Sequence, residues 1–269
     1  MTKGYLLFAI DSKQVKYTRL AYACALSIKL TQPNGFNHVS VVTDNIDNFN
    51  NCKNIFDQII QYSGPNGMDV RSRAYDYTPY DETIILDSDM LFLTPADHYW
   101  KIMTDIDLFV TRAPQTYNGQ PFHYGTYRQL FLHNQLPDVY SAWTYFKKSI
   151  VAEEFFDLVK TVTDNPAPFI AEFLPTSQLT TMPTDEAFAL ALQLLDINMP
   201  IWDFPRITHM KPLVQGWTVH VDNWNDRLRF SMDKNGQVKL GVWQQTDILH
   251  YVNKDLITPR VIKTLESLL

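Results

Sequence analysis

Residues 71–93 read RSRAYDYTPYDETIILDSDMLFL. The decisive part is residues 83–86, Thr-Ile-Ile-Leu, which run straight into Asp87-Ser88-Asp89. A short apolar run bounded by polar residues predicts a strand buried on both faces. Two earlier segments repeat the pattern. Residues 5–10 (YLLFAI) end at Asp11-Ser12, and residues 38–43 (HVSVVT) are closed by Asp44-Asn45. Between them, residues 18–30 read as a helix with Leu20, Ala23, Cys24 and Ser27 on one side. Apolar strands alternating with helices predict an α/β fold with a mostly parallel central sheet flanked by helices. Open sheets of this kind take ligands at the carboxyl ends of their strands. All three polar clusters fall at such ends.

The rest of the chain is less regular. Residues 112–139 hold Arg112, Tyr117, Phe122, His123, Tyr124, Tyr127, Arg128, Phe131 and His133, interrupted by Pro, Gly and Asn. Residues 149–163 and 184–196 read as helices. From 198 to 252 the pattern turns to short strands with Trp202, Trp217, Trp224 and Trp243, and Asn235-Gly236 signals a hairpin. Residues 258–269 read as a short amphipathic helix. We expect one domain over 1–269, with a first half at 1–110 that carries Asp87-Ser88-Asp89 and a second half at 111–269.

Composition sets bounds. The 269 residues are 45% hydrophobic, ample for a core. A net charge of −6 gives no overall attraction to duplex DNA, although a local basic patch stays compatible with it. The two cysteines, Cys24 and Cys52, form no CxxC spacing, so they read as buried thiols in a reducing compartment. The opening Tyr5–Ile10 run is too short for a membrane span and ends in an acid; a cytoplasmic location with no membrane anchor is the expectation. Nine glycines, and no GxGxxG or GxxxxGK[ST] loop, disfavour folds that wrap phosphates in glycine.

Asp87 and Asp89 flank one small residue. Two such carboxylates can present oxygens to one hard divalent cation that shares a nucleotide diphosphate and takes up charge on the leaving phosphate. A solvated turn would also place acids at a strand end, and the apolar strand before them is what favours a site.

The segment Arg71–Leu93 resembles the glycogenin and galactinol-synthase-like family of retaining glycosyltransferases, in the order Arg71, Tyr75, Tyr80, Asp87–Asp89. The neighbouring Asp97-His98-Tyr99-Trp100 and Asp107-Leu108-Phe109 follow that family's downstream pattern. FAIDSKQVKYTRLAYACALSIKL and VSVVTDN resemble its opening strand, helix and second strand. Thr184-Asp185-Glu186-Ala187 is similar to its Asp-Gln motif, and Leu249-His250-Tyr251 to its late histidine. The resemblance implies a GT-A nucleotide-diphospho-sugar transferase fold, with a nucleotide-sugar-binding half at 1–110 and an acceptor-side half at 111–269, and a UDP-sugar donor with Mn²⁺ or Mg²⁺. It implies Asp87, Asp89 and His250 as metal ligands, an imidazole suiting Mn²⁺ better. It places Ala9, Asp11 and Tyr17 against base and ribose, Arg71 at the diphosphate or donor sugar, and Ser88 on the donor side. Asp185 would meet the transferred sugar's hydroxyls or its anomeric carbon, and transfer would retain configuration.

Several departures are visible. The family's late Lys-Pro-Trp is missing after His250; a Lys211-Pro212 follows His209 instead, which makes His209 a rival ligand. Tyr140-Ser141-Ala142 stands where the family has Asn-Ser-Gly, so the acceptor is expected to differ from a sugar polymer. One candidate acceptor is hydroxymethylated cytosine in phage DNA, flipped from its stack onto the aromatics of 112–139, with Arg112 and Arg128 as planar partners. Asp185 is equally placed to be an acid favoured by a helix N-terminus. A non-catalytic nucleotide-sugar-binding module and a metal-dependent nucleotide-sugar hydrolase are the rival functions.

Overall fold

The computed structural model describes residues 1–64, 70–112, 114–119, 128–202, 204–209 and 228–269. Its strands are β1 (Lys3–Ala9), β2 (Val39–Thr43), β3 (Gln58–Gln61), β4 (Glu82–Leu86), β5 (Met90–Phe92), β6 (Leu108–Val110), β7 (Gln115–Thr116), β8 (Trp143–Lys147), β9 (Ile207–His209), β10 (Phe230–Met232), β11 (Val238–Leu240), β12 (Trp243–Gln245) and β13 (Ile248–His250). Its helices are α1 (Tyr17–Thr31), α2 (Ala74–Tyr77), α3 (Asp97–Ile102), α4 (Gln129–His133), α5 (Ile150–Asp164), α6 (Pro166–Phe173), α7 (Thr184–Leu194) and α8 (Pro259–Leu268).

The main sheet has the order β3-β2-β1-β4-β8-β6. β1 pairs in parallel with β2 (Tyr5↔Val39) and with β4 (Lys3↔Glu82), and β2 pairs in parallel with β3. β8 runs against both β4 and β6, so the sheet is mostly parallel with one reversed strand. Alternate side chains of each strand feed two cores. Tyr5, Leu7, Val41, Ile84 and Leu86 pack with α1 on one face. Leu6, Phe8, Val42, Ile85 and Phe146 pack with α5 and α7 on the other. That two-sided burial is why the strands read as continuous apolar runs.

A second sheet, β5-β13-β9-β7, takes over where β4 ends. β5 starts one residue after Asp89 and pairs antiparallel with β13, His250 opposite Met90. A third sheet, β10-β11-β12, contains the expected hairpin, with Gly236 at φ +77 in its turn. That conformation is easy only without a side chain. Cys24 and Cys52 are buried and unbridged, as the spacing predicts. Among the described residues no helix is long and apolar enough to cross a membrane.

The α5–α7 core is aromatic. Phe188 is fully buried and meets Phe155 edge-on at a centroid distance of 5.2 Å. α5 is capped by Ser149, whose hydroxyl accepts from the Ala152 N–H. Phe188→Ala should cost about 3–5 kcal/mol as lost transfer energy plus cavity, and Ser149→Ala about 1 kcal/mol. Urea unfolding of both variants checks the ratio.

Candidate metal and donor site

The carboxyl rim of the main sheet is knitted by polar contacts. The Asp11 N–H donates to Asp44 Oδ1 at 3.3 Å. The Ser88 hydroxyl donates to the Phe8 carbonyl at 2.6 Å, and the Asp87 N–H to the Ala142 carbonyl at 3.1 Å. Ser88 thus ties the turn after β4 to β1, and is 5% exposed.

Asp87, Asp89 and His250 come together here, each offering a ligand atom within 4.8 Å of the others. Sheet register explains the meeting. His250 sits opposite Met90, and the Tyr251 N–H donates to the Asp89 carbonyl at 3.1 Å. His250 Nε2 lies 3.0 Å from Asp89 Oδ2 and 3.7 Å from Asp87 Oδ2. Adjacent donors on one octahedral cation, each at about 2.1 Å, stand roughly 3 Å apart. The spacing and the donor set of two carboxylates and an imidazole therefore fit a divalent ion. The Nδ1 of His250 is hydrogen-bonded to the Tyr140 hydroxyl. For Nε2 to keep a free lone pair, Nδ1 must carry the proton and donate it to Tyr140, the orienting contact that metal-bound histidines commonly have. His209 stands beside His250 across the β9–β13 register, with ring centroids 5.5 Å apart, but the carboxylate cluster is formed with His250.

Two cations face the pair of acids. Arg71 Nη1 donates to Asp87 Oδ1 at 2.5 Å, and Lys254 Nζ donates to Asp89 Oδ2. The His250 imidazole lies against the same Asp89 oxygen. Burial of Asp89 works against its charged form, but His250 and Lys254 outweigh that and hold its carboxyl below the usual range. Burial likewise disfavours charge on His250, but Asp89 overrides it and raises the imidazole pKa. Sequence reading gave Lys254 no role: it stands four positions after His250, and nothing local ties it to Asp89.

On the donor side, Asp11 accepts from the Thr18 N–H at 3.1 Å and from Asn48 Nδ2 at 3.2 Å, which fixes the start of α1. Ala9 is buried at the end of β1, and Tyr17 is partly buried at the first residue of α1.

Asp185, on the first turn of α7, is tied on both oxygens. Oδ1 accepts from the Ser141 N–H at 2.8 Å and its hydroxyl at 2.6 Å, and Oδ2 from Arg128 Nη1 at 3.0 Å. Ser141 neighbours Ala142, which accepts from Asp87, so Asp185 is moored to the same rim. Arg128 differs from expectation. It is 1% exposed, stacks over Phe131 at 4.4 Å and binds Asp138, so it packs into the protein and is not presented to an acceptor. Of the other acceptor-side candidates, Phe122, His123, Tyr124, Tyr127, Lys211, Pro212, Trp217 and Trp224 lie outside the described residues.

The known structures of similar shape can now be stated. The galactosyltransferase LgtC, solved with donor and acceptor sugar analogues, matches at a TM-score of 0.53 and 10% identity, covering 98% of this chain and 95% of that one. The chain accordingly has a GT-A fold. Two further glycosyltransferases match over part of their length: bifunctional WbbM (TM-score 0.42, 15% identity, 61% of this chain and 35% of that) and GlyE of Streptococcus pneumoniae TIGR4 (0.40, 13%, 72% and 43%). This chain thus spans less than half the length of either. No protein-family model matches the sequence, and no curated protein aligns with it.

Two outcomes follow from the geometry. Tyr140→Phe should weaken Mn²⁺ binding about tenfold, read by calorimetry, because the imidazole loses its orienting contact. Glu186, 6% exposed, has its pKa raised from 4.5 to about 7, by burial first and then by Asp185, with Arg128 opposing. A carboxyl held more tightly protonated in the folded state than in the unfolded one contributes fully below pH 4.5, and that contribution is lost as pH rises towards 7. Wild type should therefore lose stability relative to Glu186→Gln across that window, measured by denaturation at several pH values.

Proposed function

We propose that the chain is a metal-dependent glycosyltransferase that moves a sugar from a nucleotide-diphosphate donor, a uridine one by the family resemblance, with retention. The observation that carries this reading is the Asp87–Asp89–His250 cluster at the carboxyl rim of a GT-A sheet. Sugar-nucleotide-binding sheets place the diphosphate at that rim. A divalent ion bound there would share the diphosphate oxygens and draw off charge from the departing nucleoside diphosphate.

The chain's own residues divide the remaining work. Asp87, Asp89 and His250 would hold the ion. Arg71, which reaches the rim through its ion pair with Asp87, would meet diphosphate oxygens. Ala9, Asp11 and Tyr17 surround the β1–α1 junction, where base and ribose would lie. Asp185 is held rigid by Ser141 and Arg128, which suits orienting sugar hydroxyls, since positioned groups lose little freedom when they bind. Hydroxyl groups are the natural acceptors for such a site. A DNA base would have to bring its phosphates toward a rim carrying Asp87, Asp89 and Asp185 in a chain of net charge −6, and like charge opposes that approach.

A thermal-shift panel of nucleotide sugars with and without Mn²⁺ tests the reading. A donor at a hundred times its dissociation constant adds about 2.7 kcal/mol of stability. A UDP-sugar should stabilise the wild type in the presence of Mn²⁺ and not Asp89→Ala. Turnover should release the nucleoside diphosphate. Release of sugar phosphate would instead mark a hydrolase, and binding without slow donor breakdown would mark a binding module.

A further inference from the structure

Arg112 is a rim cation for which the described residues supply no partner. β6 ends at Val110, and the chain then crosses to β7 in the second sheet. Both ends of that crossing are pinned. Thr111 is fully buried; its N–H donates to the Trp143 carbonyl at 3.2 Å, and its own carbonyl accepts from the Tyr140 N–H at 2.7 Å. Gln115 Nε2 donates to Asp247 Oδ2 at 3.0 Å, and Thr116 lies in register with His209. Arg112, partly buried, is held between these anchors. Its Nε is buried without a hydrogen-bond partner, and among the described residues its guanidinium pairs with no carboxylate. A buried donor left unpaired is costly. The rim acids do not relieve it, because Asp87 is engaged by Arg71, and Asp185 by Arg128 and Ser141.

Sheet order shows which part of the rim Arg112 serves. Along β1-β4-β8-β6, Asp11 follows β1, Asp87 follows β4, Ser141 and Ala142 precede the reversed β8, and Arg112 follows β6. Neighbouring strands stand about 4.8 Å apart, so the strand of Arg112 lies roughly 10 Å from that of Asp87, on the side away from Asp11. That is the side left to an acceptor once base, diphosphate and transferred sugar take their places. We propose that Arg112 is a specificity residue that binds a carboxylate or phosphate group carried by the acceptor. The proposal rests on the transferase reading above. A planar guanidinium offers two parallel N–H groups to either anion. The acceptor class is then a hydroxyl compound with one anionic group, such as a uronic acid or a sugar phosphate. One anion can reach Arg112 without crossing Asp87 and Asp89, whereas a polyanion would also face those carboxylates.

Calorimetry with three probes tests this: methyl glucuronide, methyl glucoside 6-phosphate and neutral methyl glucoside, each with and without Mn²⁺ and UDP. Wild type should bind at least one charged probe about tenfold more tightly than the neutral one, the margin of a charge-assisted pair. Which charged probe is preferred assigns carboxylate or phosphate. Arg112→Gln should remove the preference, and Arg112→Lys, which keeps the charge without the fork, should retain part of it. Circular dichroism checks that both variants fold, and the comparison of probes on wild type needs neither. Equal binding, or no binding, of all three probes by wild type overturns the proposal, as does a preference that survives in folded Arg112→Gln. Stabilisation of wild type by a UDP-sugar with Mn²⁺, without any anion preference, overturns the role of Arg112 alone. An anion preference without that stabilisation overturns the transferase reading, and with it the assignment of the anion to an acceptor.

Discussion

Two carboxylates one residue apart at the end of a buried strand repel each other, and the chain around Asp87 and Asp89 is organised to offset that repulsion. Asp89 is 4% exposed, so water cannot neutralise it. A buried charge without partners costs several kcal/mol. The partners come from distant parts of the sequence: Arg71 before β4, and His250 and Lys254 at the end of the second sheet. Closing that cluster requires β4 and β5 to diverge immediately after the acids, and requires β13 to return beside β5 in one particular register. A slip by one residue would turn His250 to the other face. The local electrostatics thus constrain how the two sheets join.

The same junction explains why the site lies at one rim. β1, β2 and β4 run parallel and end in Asp11, Asp44 and Asp87, while β8 enters antiparallel and brings Tyr140, Ser141 and Ala142 to that end. Tyr140 orients His250, Ser141 holds Asp185, and the Ala142 carbonyl accepts from Asp87. Three consecutive residues before one reversed strand therefore link the Asp87–Asp89–His250 cluster to α7. A change at Ser141 would loosen Asp185 without touching that cluster.

How much of this could be read from sequence depended on how local each signal was. β1, β2 and β4 are buried on both faces, so their apolar runs announced them, and the acids at their ends followed directly. α1, α5, α7 and α8 carried clear helical periodicity and fell within two residues of expectation at both ends. Asp87, Asp89 and His250 were expected together only through family resemblance. Their contact depends on the antiparallel pairing of β5 with β13, between segments more than 150 residues apart, and no local pattern encodes it. β5 was not read at all: Met90–Phe92 is only three residues long, and its pairing with β13 is equally distant in sequence. Arg128 looked like an exposed cation among aromatics because its partners Asp138 and Asp185 are ten and 57 positions away. Burial of a guanidinium is decided by such tertiary partners, not by its neighbours in sequence.

Charge balance also constrains what the rim can accept. The carboxylates of Asp87 and Asp89 face the cations of Arg71 and Lys254, with the His250 imidazole against Asp89. Under the proposed function, an incoming anion would meet cations already paired with carboxylates, and an incoming divalent ion would meet carboxylates already paired with cations. Filling the rim would therefore exchange existing ion pairs for new ones, because a buried rim leaves none of these charges to water.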